Sequence, residues 1–232
     1  MGASKYMKNI VFRPIKDFTS VAIPPKPAKT QIPNWYKKMD TDLPRPDSID
    51  AFTSKRCMPL LDGMTAGYHL FSYADIKVSV KDGCTKINWG HSSEVIAVHP
   101  REQVPGMPLP VGYYKDEAFK WFNPVSIQTP KGYSTLFVTP MLRHELPFFC
   151  FPAIVDTDTY TAAVHFPFLM KKNFEGVIPR GTPIIQAIPF KRDDWKHEWQ
   201  EDPVDNDSAI SYLKTFIHSS YKKTNWNKKY FN

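Results

Sequence analysis

Residues 76–89 read Ile76-Lys77-Val78-Ser79-Val80-Lys81-Asp82-Gly83-Cys84-Thr85-Lys86-Ile87-Asn88-Trp89. Ile76, Val78 and Val80 alternate with polar residues, and Thr85, Ile87 and Trp89 alternate on the far side of Asp82-Gly83. Period-two alternation buries one face of a strand. Asp-Gly supplies the positive φ angles of a tight hairpin turn. This stretch predicts an antiparallel hairpin and sets the class as β. Outward from it, further strands are expected at 9–13, 68–73, 94–98, 120–128, 133–138, 149–155, 160–167 and 183–190. Pro124, Pro130-Lys131-Gly132, Pro140 and Arg180-Gly181 keep them short. With 22 prolines and 14% aromatic residues, the chain favours short strands and ordered loops over long helices. The expected fold is mainly β, a sandwich, jelly roll or barrel.

The ends differ from this body, which is taken as residues 51–200. Residues 1–50 form a proline-rich basic arm. It holds a polyproline-like run over 23–27 and one or two helical turns over 32–39. Residues 201–232 predict a helix capped by Asp207 or Ser208, with Ile210, Leu213, Phe216, Ile217 and Tyr221 on one face, followed by a basic aromatic tail. The net charge of +7 sits at these ends. Residues 1–39 carry eight Lys/Arg and one acid, residues 205–232 five Lys and two Asp, and the remainder is mildly acidic at −3. Arms of this kind dock on something acidic: a partner subunit, nucleic acid or the body itself. Trp35, Tyr36, Lys37 and Lys38 on one arm, and Trp226, Lys228 and Lys229 on the other, mix cations with aromatic faces. Such a mixture stacks on bases or anchors on protein. The interspersed prolines and large apolar residues favour protein, as a homo-oligomer or with another partner.

Cys57, Cys84 and Cys150 are odd in number, widely spaced and form no C-x-x-C pair, which predicts buried thiols in a reducing compartment rather than disulfides or a zinc site. No apolar run reaches the length of a membrane span, and no export signal is evident. The expected location is cytoplasmic, in a host cell or virion if the protein comes from a phage.

Lys55-Arg56-Cys57-Met58-Pro59-Leu60-Leu61 with Gly67-Tyr68, then Val155-Asp156-Thr157-Asp158, Gly181-Thr182-Pro183 and Pro189-Phe190, resemble the motifs of an uncharacterised domain family of bacteria and marine-type tailed phages. The resemblance covers roughly residues 55–192. It implies a phage-encoded protein and carries no activity. Separately, Thr65-Ala66-Gly67-Tyr68-His69, the hairpin Ala153-Ile154-Val155-Asp156-Thr157-Asp158 and the late run from Val177 to Gln186 resemble, in order, three motifs of the dUTPase-like β-clip fold. That resemblance implies a β-clip body in which Asp156 matches the water-activating aspartate. Under it, Asp158 is a helper or a contact to Mg²⁺, Tyr68 a sugar platform, and His69 and Gln186 line the ligand. His69 replaces that family's aspartate, Met141-Leu142-Arg143-His144-Glu145 stands where Arg-Ser-Gly is expected, and the glycine-rich phosphate clamp is absent from the sequence.

Asp156 and Asp158 can serve as base and metal-phosphate contact, or simply cap a turn. His144, Asp156 and His165 can be drawn as a two-His-one-carboxylate set, but lack its spacing, so no resident metal or other cofactor is expected. Trp195-Lys196-His197-Glu198-Trp199 reads as a packed connector after the last strand. No phosphate loop, nucleophile elbow or Cys–His pairing is present. The sequence therefore points to a non-enzymatic binding or assembly protein, with a diverged dUTPase-like nucleotide-binding or nucleotide-hydrolysing enzyme as the alternative.

Overall fold

The computed structural model describes residues 8–43, 53–100, 106–108, 110–113, 117–203 and 220–232. The hairpin forms as its sequence requires. Strands β4 (Ile76–Lys81) and β5 (Cys84–Trp89) pair from Ile76↔Trp89 to Lys81↔Cys84, and Asp82 and Gly83 turn at φ 53° and 77°, the type I′ signature. Strand β13 (Gly176–Ile178) adds to the other edge of β4.

Two larger antiparallel sheets carry the core. One runs β11 (Ala153–Val155), β9 (Tyr133–Val138), β14 (Pro183–Lys191), β3 (Tyr68–Phe71), β2 (Lys26–Pro27). The other runs β10 (Phe148–Cys150), β12 (Phe166–Met170), β7 (Glu117–Trp121), β6 (Ile96–Pro100). A last pair joins β1 (Val11–Pro14) to β8 (Val125–Gln128). The fold is mainly β. Leu70, Phe137, Ile185 and Ala187 of the first sheet share one buried cluster with Phe119, Trp121, Phe148 and Phe168 of the second. Trp121 stacks on Phe168 at 4.6 Å and meets Phe148 edge-on at 5.3 Å, the geometries that aromatic quadrupoles favour.

Two expected strands prove to be strand pairs that change sheets. The run 120–128 breaks at Asn123-Pro124, between β7 and β8. Pro124 has no N–H for the ladder, and the Asn123 side chain replaces it by donating to Val125 O and Val164 O and accepting from Val125 N–H. The run 149–155 breaks at Phe151-Pro152, so that β10 and β11 lie in different sheets. A sheet switch at a proline looks continuous in hydrophobic pattern, because both halves bury one face. The strand expected at 160–167 lies further on, at Phe166–Met170.

Residues 8–43 are built into the body. Besides the β1 and β2 pairings, Ala28 N–H donates to Gly67 O, and Ala28 and Tyr36 are buried. Helix α1 (Asn34–Lys38) supplies the expected helical turns; Lys55 Nζ caps its C-terminal end through Lys37 O and Met39 O. Helix α2 (Met58–Thr65) was not expected: only Met58 and Met64 are buried along it, too few to create a periodic stripe. The helix expected around Ile210 to Tyr221 falls mostly outside the described residues; its described end is α3 (Ser220–Thr224). Cys150 is buried, and burial pushes its thiol pKa up, but Cys57 and Cys84 are exposed, which corrects the expectation of three buried thiols. Among the described residues no helix is long and apolar enough to cross a membrane.

Candidate functional site: the acid turn and the groove between the chain ends

Strands β9 and β11 pair from Ala153↔Phe137 to Val155↔Thr135, and the chain then turns. Thr159 N–H and Tyr160 N–H both donate to Asp156 O, and Thr159 Oγ1 does so too. Thr157, fully buried, hydrogen-bonds Thr129 and Thr135 through its hydroxyl, at 2.8 Å each. The two aspartates flanking it meet Arg192, the first residue beyond β14. Arg192 holds Asp158 with both guanidinium nitrogens, at 2.9 and 2.5 Å, and Gly132 N–H adds a third bond at 2.8 Å. The Arg192 bonds, with Gly132 behind them, hold the Asp158 pKa down at about 2. Asp156 accepts from Ser134 Oγ at 2.6 Å and Arg192 Nη1 at 3.1 Å.

The acid pair is thus a bidentate clamp that fastens the β9–β11 hairpin to the end of β14. The side chain of Asp158 is 2% exposed. A carboxylate this acidic and this covered is a poor proton acceptor near neutral pH. Its linkage has a definite sign. The folded pKa lies below the ordinary 3.8, so the clamp stabilises fully above that value and is lost as pH falls through about 2. Arg192→Leu is therefore expected to lower the urea midpoint at pH 7. The gap to wild type should begin to close below pH 4 and vanish by about pH 2. A gap independent of pH sinks this account.

The residues expected to bind ligand do not converge. His69 pairs with Gln186 in the β3–β14 register, whereas Tyr68 pairs with Ala187. Neighbouring strand residues face opposite sides, so Tyr68 points away from the other two. Gln186, fully buried, donates Nε2 to Gly63 O and Ala66 O at 2.9 and 2.7 Å and accepts Met141 N–H at 2.9 Å. It serves the chain's own backbone at the end of α2. His69 is 2% exposed, and among the described residues neither ring nitrogen has a hydrogen-bond partner; both amide protons of the neighbouring Gln186 go to backbone carbonyls.

Burial, then the charge of Arg143, lowers the His69 pKa to about 4, against a smaller opposing pull from Gln186. The unfolded chain therefore binds a proton near pH 6.5 that the folded chain refuses until about pH 4. Stability is complete above pH 6.5 and falls by about 3 kcal/mol between there and pH 4. His69→Leu should flatten this limb in denaturant titrations at pH 7, 5.5 and 4.5. A wild-type profile that is already flat would refute the assignment.

Tyr68 faces a groove of about 960 Å³ where residues 8–10 and 227–232 come together. Lys8, Tyr133, Lys228, Tyr230 and Phe231 line it beside Tyr68. The tail closes one wall. Phe231 meets Tyr68 edge-on at 6.1 Å, Tyr68 OH donates to Asn232 O at 3.3 Å, and Lys29 Nζ reaches Asn232 Oδ1. Trp226 Nε1 and Lys229 Nζ both donate to Asp62 Oδ2, at 2.8 and 2.6 Å. Lys8 Nζ lies 4.3 Å from the Tyr133 ring centre and Lys228 Nζ 5.2 Å from that of Tyr230. Among the described residues neither of these two lysines has a carboxylate partner.

The remaining docking residues divide. Tyr36, taken as partner-facing, is 5% exposed and donates its hydroxyl to Lys55 O, which corrects that expectation. Trp35 is part-exposed and donates to Leu142 O, while Lys37 and Lys38 face solvent. His165 accepts Asn123 N–H and packs on Phe122. No group of three or more His, Cys, Asp or Glu side chains among the described residues could hold a metal ion.

Sequence reading missed Arg192, Ser134, Tyr133 and Lys8. Lys131-Gly132 beside Tyr133 read only as a turn, and nothing local marks a guanidinium that acts 34 residues from its acid. It also took residues 195–199 as packed, whereas Trp195 is 90% and Trp199 79% exposed. No family model matches this chain, and no curated protein matches it.

Proposed function

We propose that this chain is a non-enzymatic binding or assembly protein whose docking surface is the groove between its two ends, recognising acidic, aromatic-bearing protein segments. One observation carries the reading: Lys8 of the N-terminal segment and Lys228, Tyr230 and Phe231 of the C-terminal tail gather in one groove with Tyr68 and Tyr133 of the body, with Lys8 and Lys228 free of carboxylate partners among the described residues. An apolar floor with a cationic rim suits a partner of opposite charge that buries aromatic anchors. The motifs quoted between residues 55 and 192, read as resembling a domain family of bacteria and tailed phages, extend the proposal to an assembly role in a virion or against a host component.

The nucleotide-handling alternative draws less support. Its helper acid, Asp158, is covered and clamped by both terminal nitrogens of Arg192, and its platform, Tyr68, lies on the opposite face from His69 and Gln186. Selection of a random displayed-peptide library on the immobilised protein tests the docking reading. Enriched peptides should combine Asp/Glu with Trp, Tyr or Phe and lose binding to a Lys8→Glu/Lys228→Glu variant. Peptides indifferent to that variant, or enrichment blocked only by single-stranded DNA, overturn it. Pyrophosphate release from a nucleotide, abolished by Asp156→Asn, would reinstate the enzyme.

A further inference from the structure

Beyond Arg192 the chain runs through residues 193–203 without regular structure, every residue exposed. Its root is fixed: Arg192 N–H donates to Gly132 O at 2.9 Å while the side chain grips the acid turn. Between 193 and 202 stand five acids and one lysine, a formal charge of −4, in a protein whose net charge is +7. Trp195 and Trp199 lie four residues apart. Positions i and i+4 share a face both in a helix and in a strand, so either bound conformation presents both indoles together. Asp194, Glu198 and Asp202 repeat at the same interval and form an acidic row that flanks the indoles in a helix and takes the opposite face in a strand. Two indoles left almost wholly in water on one tethered segment are an unmet hydrophobic surface.

We infer that this acidic tryptophan strap is the segment the groove recognises, and that it docks in the groove of a second copy of the chain. The inference rests on the docking reading above and names its partner. Charge complementarity selects the occupant: the strap is acidic and bears two aromatic anchors, while the groove is apolar-floored and rimmed by Lys8 and Lys228. Each copy carries one strap and one groove, two different surfaces. Two copies can therefore exchange straps reciprocally across a two-fold axis, or link head to tail into a larger ring or a filament. Burying Trp indoles against tyrosine and phenylalanine rings, beside lysine ammonium groups, uses the anchors that dominate protein interfaces.

Sedimentation velocity of the full chain, from roughly 1 to 200 µM in 50 and 500 mM NaCl, tests this, because contacts between exposed charges are screened over about a Debye length. Association should grow with concentration, weaken by at least tenfold at the higher salt, and disappear in both Trp195→Ala/Trp199→Ala and Lys8→Glu/Lys228→Glu. All four positions are exposed or at the groove rim, so each variant keeps the fold. Mixing the two silent variants should restore a dimer and nothing larger, since only one intact strap then meets one intact groove. A strict monomer throughout, association untouched by either variant, or a concentration-independent blue shift of tryptophan emission (a strap closing on its own groove) each overturns the inference. If library-selected acidic peptides bind the groove while the chain stays monomeric, this inference alone fails. If neither binds, the docking reading fails as well.

Discussion

Gly67→Ala is expected to lower the stability of the protein by about 4 kcal/mol, the range reserved for backbone strain and steric collision in the core. Gly67 sits at φ +67°, and a Cβ there would lie 2.0 Å from Ala187 O and 2.9 Å from Ala187 C. Both obstacles are backbone atoms of β14, so no rotamer change relieves them. The left-handed φ adds its own penalty for any L side chain. The position cannot drift, because Gly67 O accepts Ala28 N–H and the chain enters β3 at the next residue, where Tyr68 pairs with both Ala187 and Pro27. Gly181→Ala is the matched control: its φ is +85° with open space around the added methyl, so it loses about 1 kcal/mol from strain alone. Urea denaturation of the two variants checks the difference; equal losses would mean that φ strain, not the collision with β14, sets the demand for glycine at 67.

That glycine shows how unevenly the sequence discloses this molecule. The β4–β5 hairpin was legible to the residue pair, because alternation and the Asp-Gly turn lie within one stretch of chain. The sheet switches at Pro124 and Pro152 were not, since a hydrophobic pattern records burial and says nothing of which sheet buries it. Gly67-Tyr68 and Gln186 stood out through their resemblance to a nucleotide-handling fold, and in the structure they pack against each other's neighbourhood for reasons of backbone fit. Asp156 and Asp158 were legible as chemistry, but their meaning depended on Arg192, which reaches them only after β14 has crossed the sheet. The tail was legible as basic and aromatic. That it lies along the body at Asp62 and Tyr68 follows from tertiary contacts between residues more than 160 positions apart, which no local pattern encodes. The exposed tryptophans were misread because a Trp-rich run is ordinarily core.

Gln186→Leu is expected to cost about 4 kcal/mol, from three backbone groups that lose their partner at roughly 1–3 kcal/mol each, offset by better burial of an apolar side chain. Gly63 O and Ala66 O belong to the last turn of α2 and its C-cap, where carbonyls have no intrahelical donor, and Met141 N–H opens the loop that leads to Arg143. One amide thus ties α2, β14 and that loop together. Hydrogen exchange locates the effect: amides from α2 through Tyr68, and Met141, should lose protection in the variant more than those of the β4–β5 hairpin. Gln186→Glu separates hydrogen bonding from shape. Its carboxylate keeps the bond from Met141 N–H but faces two carbonyls, and it can serve one of them only when protonated, so that variant should regain stability relative to wild type as pH falls from 7 toward 5. A residue held in reserve for a ligand would behave in the opposite way, with stability unchanged and only binding affected. Unaltered unfolding in both variants would return Gln186 to the ligand-binding role and revive the nucleotide reading.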